Sequence, residues 1–326
     1  MYKWNELLKQ VNCELEKLDF ERPPYSLYAP IRYVLGLGGK RIRPVFMLLA
    51  YNLYREDIEK IYFQALGIEV YHNYTLLHDD LMDKAELRRG KQTVHKKWSD
   101  NAAILSGDSM LVLAYKYMQR CEPDKMQAVL SLFTETALEI GEGQQYDMEF
   151  ETRNDVSEDE YIEMIRLKTS VLLACALKMG AILAGAPARD AELLYKYGEC
   201  IGLAFQLQDD FLDVYGDPAV FGKKIGGDIL CNKKTYMLIN AFLNADERQR
   251  AELSSWIGAE EGSYEPADKI TAVTALYDEI GVGGLCEDKI KAYFEEAERY
   301  LEMVELPSER KVCLREMVDT LLDRKS

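Results

Sequence analysis

The stretch IYFQALGIEVYHNYTLLHDDLMD, Ile61–Asp83, decides the fold. Its apolar residues recur at three- and four-residue spacing and it closes on Asp79, Asp80 and Asp83. That pattern predicts a buried helix whose carboxylates emerge where it meets a cavity. AFQLQDDFLD, Ala204–Asp213, repeats the arrangement with Asp209, Asp210 and Asp213 after an apolar run from Tyr195 to Leu207. Helix residues four apart share a face, so Asp79 lies above Asp83 and Asp209 above Asp213. Like charges so placed call for cations between them, above all Mg²⁺, which takes one or two carboxylates plus the phosphates of a substrate. One DDxxD in so acidic a chain reads equally well as a solvated helix face. Two, each ending an apolar run, favour the metal reading.

The same spacing runs through almost the whole chain, and alternating β-branched runs are hard to find, so the predicted class is all-α. Helix boundaries are expected at Pro23 with Pro24, Gly36 to Gly39, Gly90, Pro123, Gly185 with Pro187, and Gly216 with Pro218. Ser157 followed by Glu160 is a capping-box pattern, predicted to start a helix through Lys168 and Thr169 toward Gly185. The polar patch from Ala245 to Asp268 reads as a loop, followed by a helix from Glu287 to Val304. No fixed-period repeat appears. A single domain over residues 1–326 is expected, a helical bundle around a central cavity.

At 326 residues, 48% hydrophobic and 29% charged, the chain has ample material for a core. A net charge of −16 argues against nucleic acid and anionic membrane surfaces as partners. Phosphate chemistry must then rely on a few placed cations. The seven cysteines show no CxxC pair and no Cys/His ligand spacing, which predicts reduced, mostly buried thiols in a cytoplasmic protein. The N-terminus reads as an amphipathic helix rather than a signal peptide. The longest apolar stretch, Val171–Ala184, carries Lys178 and reads as too short to span a membrane.

The cations cluster near the first aspartates. GGKRIRP places Lys40, Arg41 and Arg43 in a tight turn, and Arg88, Arg89 and Gly90 follow the first cluster closely. Arg offers phosphate a planar fork and Lys a mobile point charge. GGKRIRP lacks the spacing of a nucleotide P-loop, and alone would be only a basic loop. His72 lies about two turns before Asp79, on nearly the same face, where it could bind an anion. His78 reads as a packing residue and His95 as structural. Lys168, Thr169 and Gln206 are polar groups on apolar helices, a pattern that also fits satisfied buried pairs. Gly222, Lys223, Gly226, Asp228, Lys233 and Thr235 form a loop able to close over a phosphate.

In these motifs the sequence closely resembles the short-chain trans-prenyl diphosphate synthases, the farnesyl and geranylgeranyl diphosphate synthase family. The resemblance covers about Gly38 to Thr235: GGKRIRP, HDDLMD with RRG after it, Gly107–Asp108, GQQYD at Gly143–Asp147, Lys168–Thr169, FQLQDDFLD and GKKIGGD. It implies a Mg²⁺-dependent prenyltransferase of the isoprenoid synthase fold, taking isopentenyl and allylic diphosphates as substrates and working as a homodimer. By the resemblance, Asp79 and Asp83 hold metal, Asp209 holds a further ion and Asp210 and Asp213 support it, with about three Mg²⁺ per site. Arg88, Lys168, Lys223 and Lys233 match residues that hold the allylic diphosphate. Lys40, Arg43, His72 and Arg89 match those that hold isopentenyl diphosphate, while Thr169 and Gln206 match positions beside the reacting carbons.

The chemistry fits these roles. Breaking a carbon–diphosphate bond creates an allylic cation and a highly charged leaving group, which metals and cations must stabilise. The cation needs a dry pocket, because water would quench it. The product chain is expected to run toward the N-terminus of the first Asp helix, where Tyr74 lies about 7.5 Å before Asp79. Tyr74 is the first bulky floor, Thr75 beside it is small, and Tyr71 is a second floor, which leaves C15 and C20 products open. A class I terpene cyclase would share the fold but seldom repeats DDxxD, and it has no need of the Gly38 to Pro44 clamp. A non-catalytic subunit would be expected to have lost aspartates or cations that are all present here.

Overall fold

The computed structural model describes residues 2–217, 225–260 and 262–322. Helices dominate, as the spacing predicts. The chain divides into two units, Met1–Thr134 with Cys175–Leu194 and Val304–Glu316, and Glu135–Ala174 with Tyr195–Met303 and Met317–Ser326.

The first unit contains α1 (Trp4–Glu16), α2 (Tyr25–Gly36), α3 (Ile42–Asn52), α4 (Tyr62–Met82), α5 (Val94–Lys97) and α6 (Asp100–Met118). Every residue of α3 from Pro44 to Asn52 is buried, the signature of a helix apolar on all sides at the centre of a core. Phe46, Leu48 and Leu49 are at most 1% exposed, and burying each side chain stabilises the fold by about 1.5–3 kcal/mol. Alongside α3, α4 is buried without a break from Gln64 to Tyr71 and packs along α6. The one sheet among the described residues is a hairpin, Leu87–Arg88 against Lys91–Gln92. Its two-residue turn, Arg89 and Gly90, has positive φ at both positions (53° and 73°), which matches the right-handed twist of the strands.

Three further helices, α7 (Met126–Thr152), α9 (Val171–Ala184) and α10 (Ala188–Tyr215), carry residues of both units. In the second unit α8 (Glu158–Ile165) starts at the predicted capping box: Glu160 N–H donates to Ser157 Oγ at 3.3 Å and Ser157 N–H to Glu160 Oε2 at 2.9 Å. The helix does not run on uniformly toward Gly185. Arg166–Ser170 is a π-helical turn, a distortion that rearranges local backbone bonding and recurs at functional sites. Tyr161, Ile165, Leu207, Tyr277 and Cys286 belong to this unit's core.

Several expectations need correction. The patch Ala245 to Asp268 is not a loop: it holds the helix Glu247–Ile257, started by a capping box between Asp246 and Gln249. The helix expected from Glu287 begins at Val282 and ends at Met303. Val171–Ala184 by itself is a 14-residue helix; taken together with the turns before it, Glu158–Ala184 is long and apolar enough to cross a membrane by length and composition, but 78% of its apolar window is buried inside the protein. All seven cysteines are free, yet only Cys175, Cys200 and Cys286 are buried, with Cys13 and Cys231 exposed.

Candidate active site

In the first unit the C-terminal end of α4 carries the first cluster. Asp79 is the last helical aspartate but one; Asp83 caps the helix, donating its N–H to the Asp79 carbonyl at 2.9 Å, and is exposed. Asp80 points inward at 5% exposure. Arg88 grips it through Nε and Nη2, at 3.0 and 2.6 Å from Oδ1, and stands 3.6 Å from Asp79. Burial pushes the Asp80 carboxyl above its ordinary value, with the Arg88 hydrogen bond opposing it. Arg88, expected to hold the allylic diphosphate, thus sits against the first aspartate cluster.

The hairpin turn sends Arg89 the other way. It donates to the Gly38 carbonyl, and a Cβ on Gly39 would lie 2.8 Å from the Arg89 guanidinium, at a φ of 139°. Only glycine fits there, which accounts for the paired glycines before Lys40. The three cations of GGKRIRP have different fates. Arg41 is 5% exposed and structural: it adopts left-handed backbone (φ 49°) and donates to Glu69 at 2.6 Å and to the Leu35 carbonyl at 2.6 Å. Lys40 is exposed. Arg43 is half-buried, its Nη1 3.2 Å from His72 Nε2, and its buried Nε has no partner. Burial lowers the Arg43 pKa to about 10. Because guanidinium offers no acceptor, His72 Nε2 must accept from it, and burial followed by the charge of Arg43 drives the His72 pKa well below its ordinary value. Lys40, Arg43, His72 and Arg89 therefore belong to one unit, with Arg43 and His72 in contact.

Behind Asp79, Tyr74 and Tyr71 lie with ring centroids 5.4 Å apart. Tyr71 is 2% exposed and meets Phe133 edge-on at 5.1 Å, and Phe133 meets Tyr115 at 4.9 Å. Tyr74 meets His78 at 4.8 Å, so His78 packs as expected. Thr75 turns its hydroxyl to the His72 carbonyl at 2.9 Å. The two tyrosines are marked by their place ahead of the first aspartates, whereas Phe133 and Tyr115 lie outside the motifs that α7 and α6 carry.

In the second unit the π-helical turn presents Lys168 and Thr169. Gly143 of α7 permits this, since a Cβ there would lie 2.3 Å from the Lys168 backbone nitrogen. One turn on from Gly143, Asp147 accepts from Lys168 Nζ at 2.6 Å and lies 4.0 Å from Lys233 Nζ. Burial alone would raise the Asp147 pKa, but Lys233 and Lys168 outweigh it and hold it low. Thr169 donates to Gln206 Oε1 at 3.2 Å, and Gln206 donates to Asp210 Oδ1 at 3.2 Å. Tyr161 donates to the other oxygen of Asp210. Burial pushes the Asp210 carboxyl up to about 7. Asp213, 9% exposed, accepts the Asp228 N–H at 2.9 Å, while Asp209 is half-buried. Lys223 lies outside the described residues. Asp147 was visible only as the end of GQQYD, and nothing in the sequence marked Tyr161.

Among the described residues no three His, Cys, Asp or Glu side chains converge to cage an ion. Asp79 with Asp83 in the first unit, and Asp209 in the second, each offer carboxylate oxygens of the kind that suits a hard cation taking its remaining oxygens from phosphate and water, which is how Mg²⁺ is ordinarily bound.

A polyprenyl synthetase family model matches residues 24–276. The chain belongs to the polyprenyl synthetase family. Within it, the geranylgeranyl diphosphate synthase of Methanosarcina mazei is 41% identical over 71% of this chain and 72% of its own length. A crystal structure of a geranylgeranyl pyrophosphate synthase covers 100% of both chains at 42% identity with a TM-score of 0.95. The Corynebacterium glutamicum geranylgeranyl pyrophosphate synthase, crystallised with isoprenyl diphosphate and magnesium, covers 98% of this chain and 97% of its own at 27% identity and a TM-score of 0.83.

Proposed function

We propose that this polyprenyl synthetase condenses isopentenyl diphosphate head-to-tail with an allylic diphosphate, giving an all-trans C15–C20 prenyl diphosphate and releasing diphosphate, as one isoprenoid synthase domain in the cytoplasm. It is a prenyltransferase that lengthens prenyl chains. Asp79, Asp83 and Asp209 would hold Mg²⁺, with Asp210 and Asp213 fixing the second cluster from behind. Magnesium, when bound, neutralises the allylic diphosphate and makes it a better leaving group. Arg88, Lys168, Lys223 and Lys233 bind that diphosphate, and Asp147 positions Lys168 and Lys233. Lys40, Arg43, His72 and Arg89 bind isopentenyl diphosphate. A neutral His72 suits this role, because it can donate through one nitrogen while Arg43 supplies the charge.

As the allylic carbon–oxygen bond breaks, Thr169 and Gln206 line the cation with oxygen dipoles whose hydroxyl and amide are already engaged. The isopentenyl double bond forms the new carbon–carbon bond, and the proton it sheds goes to the departed diphosphate. The chain grows toward Tyr74 and stops at the stack of Tyr74, Tyr71 and Phe133.

One observation carries this reading: acid and cation are locked together in each unit, Arg88 on Asp80 and Asp79 and Lys168 with Lys233 on Asp147. Such preorganisation suits charge that appears only as the bond breaks. The Arg43–His72 contact beside Arg89 favours a second diphosphate substrate over cyclisation of one. Exposed Leu105 and Val112 on one face of α6 support a homodimer. Initial rates of Asp79→Ala and Asp209→Ala test the metal roles: each is expected to lose turnover by about a thousandfold or more with its helical circular dichroism intact, and near-normal rates would refute them.

A further inference from the structure

A groove of about 700 Å³ lies in the second unit, between the loop at Asp155 and the helices Tyr236–Asn244 and Glu247–Ile257. Its size falls within the roughly 300–1,000 Å³ of small-molecule sites. Apart from the capping-box Ser157, none of the motifs of the sequence lines it. The walls are apolar, formed by Leu238, Phe242, Leu243 and Ile257, and the charged lining residues are Lys234, Arg250 and Asp155. Leu243 is 61% exposed, apolar surface that an occupant would cover. The acid at the rim, Asp155, is already paired with Arg153 at 2.8 Å, so the groove presents cations to a ligand. Arg250 spends one Nη on the Phe242 carbonyl at 3.0 Å. Lys234 is partly buried, makes only a 3.4 Å contact with the Asn232 carbonyl, and burial lowers its pKa.

We propose that this groove is a second binding site for a long-chain prenyl diphosphate, the amphipathic anion that the enzyme itself makes, and that occupancy restrains the active site. The proposal rests on the function proposed above. An apolar tail matches the Leu238, Phe242, Leu243 and Ile257 wall, and a diphosphate head matches Lys234 and Arg250. The link to catalysis is covalent and short. Lys234 follows Lys233, whose ammonium faces Asp147, and successive Cα atoms are about 3.8 Å apart. Asn232, held at a φ of 53°, donates to the Ile257 carbonyl at 3.1 Å. The groove wall at Ile257 and the turn that carries Lys233 are therefore joined by one hydrogen bond. A ligand drawn in against Lys234 and Ile257 fixes that turn and withholds Lys233 from the allylic diphosphate, so accumulating product slows its own synthesis.

Titration calorimetry of the full chain with geranylgeranyl diphosphate in EDTA tests the site, because side-chain cations hold the head group there without metal. One equivalent per chain is expected to bind, about tenfold or more weakly after Arg250→Glu or Leu243→Asp, both at exposed positions. Inorganic diphosphate is expected to bind about tenfold or more weakly than the prenyl compound. With Mg²⁺, added product should inhibit initial rates even at saturating allylic substrate, and both variants should lose that inhibition while keeping their uninhibited rate. No binding in EDTA, affinity unmoved by both substitutions, equal affinity for inorganic diphosphate, or inhibition fully relieved by allylic substrate would each overturn the proposal. Product made at normal rates with any of those results refutes the groove alone, whereas absence of any synthesis refutes the function on which it rests.

Discussion

Arg43 and His72 show how burial and one contact together set a protonation state. The guanidinium can only donate, and it faces His72 Nε2 at 3.2 Å, so the imidazole is neutral. A base whose folded pKa lies below its unfolded value binds fewer protons in the folded state, so its contribution to stability is present above about pH 6.5 and is lost as pH falls below that value. The His72 ring resonances of the ligand-free protein are expected to stay in their neutral positions from pH 8 to pH 5.5; a titration midpoint near 6.5 would contradict the buried, cation-facing environment. Asp147 is the other residue whose role rests on contacts. Asp147→Asn keeps the shape but frees Lys168 and Lys233 from a shared anion, and is expected to raise KM for the allylic substrate about tenfold or more while the KM for isopentenyl diphosphate stays near normal. Equal changes in both would argue for a general structural role. The residues on repeated or basic motifs were legible in the sequence. Tyr161 and Phe133 were not, because an isolated aromatic on an apolar helix looks the same whether it backs a carboxylate, floors a pocket or fills a core.

Helix signals divide in the same way. Ser157 and Glu160 announced α8, since both halves of the capping box lie three residues apart ahead of an apolar run. Ser157→Ala is expected to cost about 1 kcal/mol of stability, read as a lowered midpoint in urea; no shift would mean that the box is not formed. The same box between Asp246 and Gln249 stands out less in the sequence, because the helix behind it buries only Leu253 and leaves little periodicity. The π-helical turn at Arg166–Ser170 had no sequence signal at all: Lys168 and Thr169 fit a regular helix equally well, and the close approach of Gly143 to the Lys168 backbone exists only in three dimensions. Along α4 the residues behind Asp79 set the depth available to the product. Tyr74→Ala removes the first ring of the stack and is expected to shift product toward longer chains, with Tyr71 and Phe133 as the next barrier; an unchanged product distribution would place the floor elsewhere.

At the scale of the whole molecule, the sequence conveyed class and chemistry because both are spread over many residues. Three- and four-residue spacing over most of the chain fixes an all-α fold, and a charge of −16 leaves phosphate recognition to the few cations placed for it. The exposed apolar face of α6 predicts self-association: light scattering should give about twice the 37.4 kDa chain mass, and a stable monomer at working concentration would leave Leu105 and Val112 unexplained. The central claim is that acids and cations fixed by the fold serve a metal-dependent chain elongation using two diphosphate substrates. The most direct measurement is to incubate the protein with dimethylallyl and isopentenyl diphosphates, with Mg²⁺ or with EDTA, and to size the dephosphorylated products. The account predicts all-trans C15–C20 alcohols with Mg²⁺ and none in EDTA. Cyclic hydrocarbons formed without consumption of isopentenyl diphosphate, or linear products undiminished by EDTA, would contradict it.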